Sequence, residues 1–137
     1  MKTANLQKLI EALRNELQQY GEMLALLDHQ HELIRLRGAD DISRSIAAIN
    51  AQGAAIQTAR QNRQFYQQEV AAALGHQGNG DSDTSQTVPF SHLLPSLPPA
   101  YRPLVAALVQ ENNQLLERVR NSAQQNQTLL RQSLDFM

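Results

Sequence analysis

The residues able to do chemistry are few, and their spacing argues against it. His29 and His31 stand two apart, so on a helix they point about 200° from one another, whereas zinc-binding pairs on helices use i,i+3 or i,i+4 spacing. His76 and His92 have no ligand cluster around them. Asp81 and Asp83 sit in the run GNGDSD, which has a superficial likeness to a calcium loop. Such a loop needs Gly at its sixth position and Glu at its twelfth; here the glycines precede the acids and the twelfth position is His92. Asp40 and Asp41 read as a capping pair at a helix start, where carboxylates meet the positive end of the helix dipole. The chain has no cysteine, no Gly-rich phosphate loop ending in Lys-Ser or Lys-Thr, and no Gly-x-Ser-x-Gly elbow. The expectation is a protein that is not an enzyme and holds neither metal nor cofactor.

Charge excludes a second group of functions. Twelve Lys and Arg stand against 13 Asp and Glu, a formal net charge of −1 over 137 residues. A nucleic-acid binder normally carries a basic excess on one face. Here the basic side chains are scattered along the chain; Arg60 and Arg63 share a helix face, which suits a solvated edge. No apolar run approaches the ~20 residues of a spanning helix, and no secretory leader is evident. A cytoplasmic protein with no nucleic-acid partner and no membrane insertion is expected.

The elements that must position any functional surface are helical. Trp is absent and aromatic residues make only 4% of the chain, so a core must be made from Leu, Ile and Ala. Leu6, Ile10, Leu13, Leu17, Tyr20, Leu24, Leu27, His31 and Ile34 alternate steps of four and three, a heptad seam flanked by Leu9, Met23, Leu26, Leu33 and Leu36. This predicts a helix over about 4–37, with Gly38 in the left-handed position past its end. Ile42, Ile46, Ile49, Gly53 and Ile56, then Tyr66, Val70 and Leu74, predict a second helix over about 41–74, stopped by Gly75. The short turn between two helices of matching length implies an antiparallel hairpin. Residues 75–97 read as a flexible linker, polar at first. Leu93 and Leu94 lie in a short helical turn within it, capped by Ser91 and stopped by Pro95, and this turn covers one end of the hairpin. Pro98 and Pro99 fit the first turn of a third helix over about 98–136, unless Pro103 marks the true start. The whole is an all-α, coiled-coil-like bundle in one domain spanning 1–137.

The third helix carries the most informative pattern. Leu104, Leu108, Leu115, Val119, Ser122, Asn126, Leu129 and Phe136 form one stripe, with Val105, Val109, Leu116, Ala123, Leu130 and Leu134 beside it. Between its apolar ends, residues 121–128 are polar almost all round, so this part is weakly packed, exposed, or made for a partner. The run QENNQLLERVRNSAQQNQTLL over 110–130 resembles the FlgN-like flagellar export chaperones of bacteria. The family pattern looks like Asn-x-x-Asn-x-x-Leu-Leu; Asn126, Leu129 and Leu130 match it, and Ala123 replaces the first Asn.

The resemblance extends over the whole chain: two long helices, a polar insert and a long last helix. It implies a cytoplasmic type III export chaperone. Such a protein binds the C-terminal helical segments of hook-associated junction proteins, prevents their premature assembly and hands them to the flagellar export gate. It would be a monomer or weak dimer. Asn126, Leu129 and Leu130 are the client-binding positions carried over from the family pattern. Leu115, Leu116, Val119, Leu134 and Phe136 join them from the apolar stripe, a pattern that a buried core shares. The competing readings are a structural coiled-coil scaffold subunit and a helical adaptor of another secretion system.

Overall fold

The computed structural model describes residues 3–75 and 88–135, with side chains to Ser133. Three long helices account for most of it: α1 (Thr3–Leu36), α2 (Ala39–Ala73) and α4 (Arg102–Asp135). A single-turn helix, α3 (Phe90–Leu93), runs into a 3-10 turn at Leu94–Ser96 before α4 begins. No strand occurs among the described residues. The expected all-α hairpin with a third long helix is therefore observed. The polar part of the expected linker, 76–87, lies outside the described residues. Its remainder, 88–97, is built into the fold: Leu93 and Leu97 are fully buried, and Leu97 clusters with Leu6, Leu9, Leu13, Val70 and Val105.

α1 is the central helix. α2 packs antiparallel along one side of it and α4 parallel along another, while the backbones of α2 and α4 seldom approach one another. The parallel register is fixed by two buried asparagines. Asn112 Nδ2 donates to the Leu13 carbonyl at 3.1 Å, and Asn126 Nδ2 donates to the Leu27 carbonyl at 2.9 Å, both across a separation of 99 residues. The same offset pairs Leu6 with Val105 and Tyr20 with Val119, all buried. Polar side chains at such seam positions cost stability and specify register in return.

The buried face of α1 differs instructively from the expected seam. The line Leu6, Leu13, Tyr20, Leu27, Ile34 is buried as expected, but its companion is Leu9, Glu16, Met23 and Gln30. Of the expected companions only Ile10 is buried; Leu17 and Leu24 are half-buried and His31 is exposed. Two polar side chains displace two leucines because each finds partners on neighbouring helices, which removes the penalty of burying it. On α4 the seam lies one position on from Leu104, which is 38% exposed, and runs through Val105, Leu108, Asn112, Val119 and Asn126.

Helix ends give further corrections. α4 starts at Arg102 rather than near 98: Pro103 has no N–H to donate and its ring collides with the carbonyl four residues back in a continuous helix. Pro98 instead accepts a turn bond from Tyr101 N–H. Phe90–Leu93 is preceded by Pro89, so Ser91 lies within the helical turn and does not cap it. Gly38, not Asp40 or Asp41, is the N-cap of α2; the two acids fall in its first turn, where they still meet the positive dipole end.

The left-handed residue after α1 is Arg37, with φ 58°, while Gly38 is extended. Arg37 N–H donates to the Ile34 carbonyl and Gly38 N–H to the Leu33 carbonyl, the paired bonds of a Schellman turn. A side chain in the left-handed region costs about 1–2 kcal/mol. Arg37→Gly should therefore stabilise the protein by about 1 kcal/mol, after the extra unfolded-state freedom of glycine is subtracted. Thermal and urea unfolding of the single variant check this.

Candidate functional site

Polar groups inside the bundle are organised into two networks. The first joins all three long helices near the α1–α2 turn. Asn126 Nδ2 donates to Gln30 Oε1, Gln30 Nε2 donates to Ser45 Oγ, and the Ser45 hydroxyl donates to the Ile42 carbonyl. The second lies nearer the middle. Arg63 donates twice to the Glu16 carboxylate, at 2.8 and 3.3 Å, and once to Gln67 Oε1. Tyr20 Oη donates to Glu16 at 2.7 Å, and Gln67 Nε2 donates to the Val88 carbonyl, tethering the segment that carries α3. Burial, with the hydrogen bond to Glu16 adding to it, raises the Tyr20 phenol well above its ordinary range. These networks are structural cement: they satisfy Glu16, Gln30, Ser45 and Gln67 inside the core.

The residues expected to bind a client divide into three groups. Val119 and Asn126 are buried against α1, and Asn126, 3% exposed, spends its donors on α1. They support the seam and present no surface. Leu115, Leu116, Leu129 and Leu130 are half-buried; the first two pack on the cluster of Tyr20, Met23, Leu27 and Val119. The side chain of Leu134, and Phe136 altogether, lie outside the described residues.

Leu129 is half-buried and borders two clefts. It forms one wall of a cleft of about 570 Å³ along α4, among Asn121, Gln124, Gln125, Thr128 and Gln132. It also lines a cleft of about 260 Å³ shared with Ile34, Arg37, Ala39 and Ile42 of the hairpin turn. Leu129 thus stands between one cleft rimmed by neutral amides and a second that is mainly apolar with Arg37 at its edge, and it offers contact area to both.

His29 and His31 are both exposed, and the described residues contain no group of three His, Cys, Asp or Glu able to hold a metal. Asp81 and Asp83 fall outside the described residues. No described helix is long and apolar enough to cross a membrane. Sequence reasoning passed over Glu16, Gln30, Arg63 and Asn112 as core residues because all four are polar. The signal for Asn112 was its spacing of seven from Val105 and Val119; Glu16 and Gln30 carry the matching signal, each seven from Met23.

The described residues form an all-α bundle whose surface offers helix faces and the clefts between them. A family model described as FlgN protein matches residues 1–137, and the chain belongs to that family of flagellar type III export chaperones. No curated protein and no solved structure matches it.

Proposed function

We propose that the chain binds the C-terminal helical segments of hook-associated junction proteins through the C-terminal half of α4. It keeps their apolar faces from pairing too early, and it passes them to the flagellar export gate. The observation that carries this reading is Leu129, half-buried between two clefts and one helical turn on from Asn126, which bonds α4 to α1 and leaves Leu129 and Leu130 at the two edges of the buried seam. A helix from the client laid along Leu129 and Leu130, with Leu116 further up the same helix, would bury those side chains in the way amphipathic helices fill apolar grooves. Leu115, Leu134 and Phe136 extend the proposed surface; Val119 and Asn126 act behind it by holding α4 in register. Release at the gate requires an interface of moderate size, in keeping with clefts of about 570 and 260 Å³. The protein works in the cytoplasm, where unassembled junction proteins wait, as a monomer or weak dimer until a client arrives.

Hydrogen exchange of the full chain with and without a peptide copying a junction protein's C-terminal helix tests this. New protection should concentrate in residues 116–135 of α4. Protection confined to the α1–α2 hairpin, or none at saturating peptide, would place the client elsewhere.

A further inference from the structure

A third cleft, of about 500 Å³, lies nearer the middle of the bundle, over α1 and between α2 and α4. It holds three charged groups of unequal standing. Glu16 is neutralised by Arg63, which also bonds Gln67. Arg60 lines the same cleft and has no hydrogen-bond or ion-pair partner among the described residues. The cleft thus carries one unanswered positive charge beside a wall of Val109 and Leu116. Its lining also includes Asn112, whose Oδ1 is buried with no partner among the described residues, so the site is polar at depth.

The shape of the occupant is indicated by what already fills the end of this slot. Phe90 and Leu94, one helical turn apart, pack on the core there, and the cleft begins where they stop. Beyond it, Ile56 and Ile49 of α2, and Leu116 and Ala123 of α4, are half-buried and spaced by sevens. That spacing receives the knobs of another helix.

We propose that this slot is a further docking site, sharing only Leu116 with the proposed client face and excluding Leu129 and Leu130, for an amphipathic helix of a partner protein that carries a carboxylate beside its apolar stripe. The carboxylate pairs with Arg60, and the apolar side chains lie on Leu116 and Ile56, completing a four-helix arrangement that α3 occupies for a single turn.

The test uses the full chain and a labelled synthetic peptide of about five helical turns. The peptide has Leu at heptad positions and one flanking Glu, and it is compared with versions carrying Gln or Lys in place of that Glu. By fluorescence anisotropy the Glu peptide should bind saturably. Gln in its place should weaken binding about tenfold, as should Arg60→Gln in the protein, and Lys should weaken it further. The two neutralising changes together should cost no more than either alone. Leu129→Ala with Leu130→Ala should leave this binding unchanged, which separates it from client capture. Absence of binding by the Glu peptide, equal affinity of all three peptides, or loss of binding in the Leu129/Leu130 variant would overturn the proposal. Since Arg60 has no hydrogen-bond or ion-pair partner among the described residues, Arg60→Gln should melt like the parent protein.

Discussion

Arg63→Met should destabilise the protein by about 3–5 kcal/mol, the cost of leaving a buried charge without its partner. The Glu16 side chain is 3% exposed and that of Arg63 16%, so solvent screening discounts little of this. Without Arg63, the Glu16 carboxylate keeps only the Tyr20 hydroxyl as a donor, and Gln67 loses the cation that fills its Oε1. An ordinary domain has about 5–15 kcal/mol of stability in total, so the variant should unfold at a much lower urea concentration. Glu16→Leu with Arg63→Met should regain most of the loss, because a buried ion pair is worth little against an apolar pair of similar volume. About 1 kcal/mol should stay lost through the orphaned Tyr20 hydroxyl. A loss below about 1 kcal/mol in the single variant would contradict the buried, paired carboxylate that holds α1 against α2.

That pair also shows where sequence patterning stops. The heptad line through Leu6, Leu13, Tyr20, Leu27 and Ile34 is legible because every member is apolar or aromatic and the spacing is regular, and the hairpin follows from it. The flank of the line is a different matter. Leu17 and Leu24 look like core by type, and Glu16 and Gln30 look like surface, yet burial runs the other way. What decides is whether Arg63, Ser45 and Asn126 reach them from other helices, and that depends on the packing of three elements at once. The start of α4 is only half legible: Pro98, Pro99 and Pro103 each suit the first turn of a helix, and the observed start at Arg102 is the one that keeps Pro103 within that turn. The left-handed Arg37 is not legible, because glycine next door is the residue such a position ordinarily selects.

At the candidate site the limit is of the same kind. Leu116, Val119, Asn126, Leu129 and Leu130 share a broad stripe, and an apolar stripe reads alike whether it meets α1 or solvent. Only the asparagine bonds to the α1 carbonyls of Leu13 and Leu27 separate the face that is spent from the face that remains. The same bonds explain why a polar stretch such as 121–128 stays helical: Asn126 is buried and bonded within it, and Ser122 and Ala123 are half-buried alongside.

Client capture by α4 is tested most directly by one double variant, Leu129→Ala with Leu130→Ala, measured twice. In urea it should lose only about 1–2 kcal/mol, because both side chains are half-buried; two fully buried leucines would cost about 4–10 kcal/mol. Titrated with the C-terminal helical segment of a hook-associated junction protein, it should lose affinity by about 30-fold or more, the effect of removing contacts worth about 2 kcal/mol at the centre of an interface. A stable variant that binds the segment as tightly as the parent protein would contradict the proposed role of α4, as would a loss of stability large enough to place both leucines in the core.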